Sequence, residues 1–126
     1  MKNILFICRY NRFRSKFAEA FFNTMNTNPD IQAKSAGLFK GNPISQSILQ
    51  QAESHGIVLT KTPQAISEDL LDWQDIIIVV ADNVPIQIFD DHRIVSEKIE
   101  VWDTREKETQ YVIEGIRDRV KKLLKY

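Results

Sequence analysis

Cys8 is the only cysteine in a chain of 126 residues, and the eight positions from Cys8 to Ser15, CRYNRFRS, also hold three arginines. The 17 basic and 17 acidic residues of the whole chain cancel, so this positive charge around one thiol is a local feature and not a reflection of overall composition. Five residues separate Cys8 from Arg14. A loop of that length between a strand and a helix can close with its backbone N–H groups turned inward, and the positive end of the following helix adds to them. Such a cup binds a tetrahedral oxyanion. The same field favours thiolate over thiol, which makes Cys8 a nucleophile held against a bound phosphate. Arg14, at the far end of the loop, offers a planar fork that can grip two phosphate oxygens and stabilise charge in the transition state. Ser15 can donate a hydrogen bond to the thiolate, or cap the first turn of the helix that follows. The competing reading of Cys8 is a buried apolar cysteine at a strand end. Three arginines in a loop that must reach the surface argue against it.

The elements that position this loop are legible on both sides. The run NILFI, Asn3 to Ile7, is continuously apolar and ends in the polar loop, as a strand buried on both faces does. SKFAEAFFNTM places Phe17, Ala20, Phe21 and Met25 on one helical face, and NTNPD breaks that helix. IQAKSAG alternates as far as Gly37 and predicts a second strand. NPISQSILQQAESHG predicts a helix with Ile44, Ile48, Leu49 and Ala52 aligned and Gly56 as its stop. DIIIVVAD, with five β-branched residues in a row, is the strongest strand signal, and KIEVW is a fourth candidate. QYVIEGIRDRVKKLL closes as an amphipathic helix with Val112, Ile113, Ile116, Val120, Leu123 and Leu124 facing inward, despite Gly115. Strands alternating with helices predict an α/β domain, a parallel sheet wrapped by helices. In such sheets ligands gather beyond the carboxyl ends of the strands, where the Cys8 loop lies.

Composition bounds the rest. A chain of this length is expected to fold as one domain, residues 1–126, around one hydrophobic core without disulfides. Zero net charge gives no general pull toward nucleic acid or membrane. One cysteine and two histidines make a poor structural zinc site, and neither a metal nor a cofactor is expected. Met1 to Ile7 is too short an apolar run for a signal peptide, and no stretch approaches the ~20 apolar residues of a spanning helix. The expected location is the cytoplasm.

Cys-x5-Arg-Ser directly after an N-terminal strand, with Asn11 three residues beyond the cysteine, resembles the low-molecular-weight protein tyrosine phosphatases. SAG at Ser35 to Gly37, GNPIS, SHGIVLT and DIIIVVADNV follow in the order found in that family, so the likeness covers essentially the whole chain. The resemblance implies a single-domain three-layer sandwich whose central four-stranded parallel sheet has the order 2-1-3-4. It implies hydrolysis of phosphotyrosine in proteins through a phosphocysteine: Cys8 attacks phosphorus, Arg14 cradles the oxygens, an acid protonates the leaving group, and water hydrolyses the intermediate without a metal. Arg9, Tyr10, Asn11, Arg12, Phe13 and Ser15 would complete the phosphate loop. Phosphate and other oxyanions would inhibit. Two other readings stand beside this one: an arsenate reductase using an external small thiol, and a catalytically weak phosphate- or phosphopeptide-binding module.

The departures from the family pattern are specific. Tyr10 stands where the family usually has Gly, and would narrow or wall the mouth of the site. Phe13 stands where many members carry a second cysteine, which removes their vicinal disulfide. The family's supporting network joins this Asn, the Ser after the Arg, the Ser of SAG and a later His; here Asn11, Ser15 and Ser35 are present, but TKTPQ occupies the place of the His. Thr62 substitutes for it, or the network is shorter. For the acid, the segment VWDTREKET offers Asp103 if the loop is shortened and Glu106 if it is aligned without gaps. Asp103 is preferred, since the family uses Asp and the segment before the last helix is short. Arg9 and Arg12 read as solvent-facing residues that raise the local potential and attract acidic substrates. His55 reads as a charge at a helix C-terminus, His92 as a loop residue without chemistry, Trp73 and Trp102 as core or rim. Phe39 is either an aromatic wall or packing, and Asp82 a brace at the end of a strand.

Overall fold

The computed structural model describes residues 2–59, 62–81, 84–90, 94–102 and 109–125. The described residues form four strands and four α-helices: β1 (Lys2–Cys8), α1 (Arg14–Met25), β2 (Ile31–Gly37), α2 (Gln46–Ser54), α3 (Glu68–Trp73), β3 (Ile76–Val79), β4 (Lys98–Val101) and α4 (Thr109–Leu123), with a 3-10 turn at Ile86–Phe89. The strands pair in the order β2-β1-β3-β4, and all three pairings are parallel. This is the parallel α/β sheet expected from the alternation of strands and helices, in the strand order that the family resemblance implies.

The alternation of side chains along each strand explains the three layers. In β1, Ile4 and Phe6 enter a core with Phe17, Phe21 and Phe22 of α1, Ala52 of α2, and Val112, Ile113, Ile116 and Val120 of α4. Leu5 and Ile7 point to the other face, where they meet Leu70 of α3, Phe89 and the alternate β3 residues Ile77 and Val79. A strand with cores on both faces must be apolar at every position, and that is why NILFI and IIIVV lack alternation. Trp102 is buried, with its ring 5.6 Å from that of Phe6, so it belongs to the core. Trp73 is half-buried under Lys34, whose Nζ lies 4.5 Å from the ring centroid.

Three local details depart from the sequence reading. α1 begins at Arg14 with Phe13 at its cap position and no side-chain cap; Ser15 lies within the helix, and its hydroxyl is used elsewhere. α3 and the 3-10 turn have no counterpart in that reading. α3 is a short helix whose signal is Ser67, which accepts a hydrogen bond from the Leu70 N–H at 3.2 Å ahead of the acidic first turn Glu68 and Asp69. α2 ends as expected: Gly56 takes φ 77°, and His55 caps the helix, its Nδ1 2.8 Å from the Gln51 carbonyl.

Candidate active site

β1 is a central strand, so the loop leaving its carboxyl end is anchored on both sides. Cys8 is in register with Gly37 of β2, and Ile7 with Val79 of β3. The pairing with β2 continues past the strand ends: the N–H groups of Leu38, Phe39 and Gly41 donate to the carbonyls of Cys8, Arg9 and Tyr10 at 3.1, 3.0 and 3.1 Å. These bonds turn the loop's carbonyls outward, toward residues 38–41. The approach is so close that a Cβ on Gly37 would lie 2.7 Å from backbone atoms of Phe39 and Tyr10 and 2.8 Å from the Asn11 nitrogen, so only glycine fits. The loop then reverses at Asn11, the one non-glycine residue with positive φ among those described, at 55°. Asn tolerates that region better than most residues.

The same Asn11 is the hub of a buried polar network. Its Oδ1 accepts from the Gln64 N–H at 3.0 Å, which fixes the amide orientation and leaves both Nδ2 protons for the other side. They go to Ser15 Oγ at 2.7 Å and Ser35 Oγ at 3.0 Å. Ser35 passes its own proton to Glu19 Oε1 at 2.7 Å. Ser15 Oγ accepts from Asn11 and lies 2.9 Å from Cys8 Sγ, to which its hydroxyl can donate. The Asn11 N–H also donates to this sulfur, at 3.3 Å. A hydroxyl and a backbone N–H thus face one sulfur. Asn11, Ser15 and Ser35 are fully buried, and Glu19 is 5% exposed, so every link acts away from water.

Glu19 and Gln64 are the members that sequence reading missed. Gln64 contributes its N–H to Asn11 and its side-chain Nε2 to the Ser35 carbonyl at 2.8 Å. Thr62 is exposed, and its carbonyl accepts from Lys16 Nζ at 3.0 Å. Lys16 is buried although charged. The available signal was a lysine and a glutamate one turn apart inside the apolar stretch SKFAEAFF, where ionisable residues need partners.

Cys8, Arg9, Tyr10, Arg12, Phe13 and Arg14 line a cavity of about 180 Å³, bounded on the other side by Ala81. Larger hollows of about 430 Å³ lie between β4 and α4 and beside Pro43 and Leu49, but neither touches the thiol. The Nε of Arg14 and that of Arg12 are buried with no hydrogen-bond partner. Phe13 packs edge-on against Phe17 at 5.1 Å and lies 5.7 Å from the Arg14 guanidinium, tying the loop to the core. Tyr10 is exposed at the mouth, with Arg9 5.5 Å from its ring centre and Phe39 at 6.1 Å. Phe39, itself exposed, therefore sits with Tyr10 and not in the core. Arg9 faces solvent as expected. Arg12 does not: it is half-buried, with Nη2 donating to the Pro43 carbonyl at 3.1 Å. Asp82, His92, Asp103 and Glu106 lie outside the described residues.

A family model described as low molecular weight phosphotyrosine protein phosphatase matches residues 3–126. The chain belongs to this family. Among solved structures, it is similar to an arsenate reductase from Archaeoglobus fulgidus, at 27% identity and TM-score 0.74, covering 98% of this chain and 99% of that one. A low molecular weight protein tyrosine phosphatase from T. tengcongensis has the same fold at 23% identity and TM-score 0.80, covering 99% of both chains. So does a thioredoxin-dependent arsenate reductase from Corynebacterium glutamicum, at 23% identity and TM-score 0.78; the match covers 99% of this chain but 61% of that one. No curated protein sequence matches this one. Structures of this fold thus include proteins named as arsenate reductases and one named as a tyrosine phosphatase. Among the described residues no group of His, Cys, Asp and Glu could hold a metal ion, and no helix is long and apolar enough to cross a membrane.

Proposed function

We propose that the protein hydrolyses phosphotyrosine in other proteins through a phosphocysteine on Cys8. The observation that carries this reading is the network Glu19–Ser35–Asn11–Ser15–Cys8, which aims a hydroxyl and a backbone N–H at the sulfur beside the unpartnered Nε of Arg14. Cys8 Sγ attacks phosphorus while the bond to the tyrosyl oxygen breaks. Arg14 holds the equatorial oxygens, and Asp103 supplies the proton that the leaving phenolate needs. Water, losing its proton to the Asp103 carboxylate, then attacks phosphorus and returns Cys8 as thiolate with free phosphate. The exposed rings of Tyr10 and Phe39 at the mouth offer a surface for the aryl group.

Likeness to arsenate reductases supports a second reading, in which arsenate enters the same loop and two molecules of an external thiol supply the two electrons and leave as a disulfide. An internal cysteine relay is not available to a chain with a single cysteine. Aryl phosphate hydrolysis measured against arsenate reduction with added glutathione separates the readings. Phosphate release that disappears in Cys8→Ser, while that variant still binds vanadate, supports the phosphatase; thiol-dependent arsenate turnover without phosphate release overturns it. The acid is tested through the leaving group. Asp103→Asn should slow phosphotyrosine cleavage while sparing esters of acidic phenols, steepening the dependence of rate on leaving-group pKa. If Glu106→Gln does this and Asp103→Asn does not, Glu106 is the acid.

A further inference from the structure

Arg14 is the arginine that phosphoryl transfer requires, yet the loop carries two more, and the structure treats them differently from ordinary surface cations. The aliphatic part of Arg12 lies on Gly41, where a Cβ would come within 2.5 Å of its Cγ and 2.6 Å of its Cδ. Its Nη2 is tied to the Pro43 carbonyl at 3.1 Å, and its Nε is buried without an acceptor. A guanidinium held this way has lost much of its rotamer freedom, and its outer Nη groups are held ready for a carboxylate. Among the described residues no carboxylate pairs with it or with Arg9 or Lys40. Arg9 stacks on Tyr10, and Lys40 is exposed in the segment that Arg12 braces. A chain of zero net charge has therefore gathered three cations, Arg9, Arg12 and Arg14, around one cavity, with Arg12 pinned in place.

We infer that Arg12 is a specificity-determining residue that selects phosphotyrosine sites flanked by acidic side chains, the fixed guanidinium receiving a carboxylate of the substrate while the phosphate occupies the Cys8 loop. The inference rests on the phosphotyrosine reading. Its consequence is a substrate class, acidic segments of proteins, with recognition set by charge beside the phosphate and by the aromatic mouth. Basic segments are rejected because the same cations repel them before the phosphate can enter.

The test uses three phosphotyrosine peptides that differ only in flanking residues: Asp and Glu, Asn and Gln, or Lys and Arg. For the native protein, kcat/KM should fall about tenfold from acidic to neutral and again from neutral to basic, the size expected for one fixed charge pair at the edge of a site. The order should compress as salt is raised. In Arg12→Gln the acidic-to-neutral ratio should collapse toward one, and Arg12→Lys should restore part of it. Ratios within one variant cancel any general loss of activity. Peptide binding to Cys8→Ser, read as a Kd ratio by fluorescence anisotropy, tests the same preference without turnover. Equal kcat/KM and Kd for the three peptides overturns the role of Arg12 and leaves the phosphatase reading standing. Peptides that bind in charge order but are never hydrolysed overturn the phosphatase reading while supporting Arg12. Failure of all three to bind or react overturns both.

Discussion

At the scale of single residues, the site is a chain of hydrogen bonds organised around one amide. Gln64 fixes the Asn11 amide, Asn11 commits both its protons to hydroxyls, and the hydroxyl of Ser15 lies in hydrogen-bond contact with the sulfur. Glu19 terminates the other arm by accepting from Ser35. Glu19→Leu would leave the Ser35 hydroxyl buried without its acceptor, at a cost of about 1–3 kcal/mol. Thermal unfolding should show the loss, and Glu19→Gln, which keeps an acceptor of the same shape, should recover much of it. Arg14→Lys should reduce kcat nearly as much as Arg14→Ala, about 10²-fold or more, since an ammonium cannot reproduce a two-pronged grip. Near-native turnover by the lysine variant would rule out that grip.

At the scale of elements, the loop from Cys8 to Arg14 is shaped by its contact with the turn after β2 more than by its own sequence. Gly37→Ala places a methyl group against three backbone atoms, none of which can rotate away. It should cost about 1–3 kcal/mol and also displace the loop, so kcat/KM should fall along with the melting temperature. Ser67→Ala provides the contrast. It removes the cap of α3, at a cost of about 1 kcal/mol, and steady-state rates should stay at the native level. If both variants lose stability and neither loses activity, the loop is not held by Gly37.

At the scale of the whole molecule, the chain confines its thiol chemistry to one atom. Phe13 fills the position next to Arg14 and is packed on Phe17, and Cys8 has no second cysteine to meet. Peroxide should therefore inactivate the enzyme without forming an internal disulfide, and long exposure should carry Cys8 beyond sulfenic acid irreversibly. Mass spectrometry of the Cys8 peptide and assay after dithiothreitol check this. Full recovery after prolonged oxidation, in protein that remains monomeric on a non-reducing gel, would contradict it.

What the sequence determined by itself is the part set by local chemistry and periodicity. The continuous apolar runs of β1 and β3 are forced by cores on both faces, so the fold class was readable, and the Cys8-to-Arg14 spacing places a thiol and a guanidinium in one short loop. α3 was not, because a six-residue helix leaves too little periodicity to detect. Only the tertiary structure decided the use of Ser15, which serves the sulfur and not the helix cap, and the closing of the Asn11 network by Glu19 and Gln64, residues 8 and 53 positions away. It also decided that Arg12 is pinned against Gly41 and Pro43. The physical reason is the same in each case: hydrogen-bond partners and burial follow from which segments a parallel sheet brings side by side, and that adjacency is not encoded in any window of neighbouring residues.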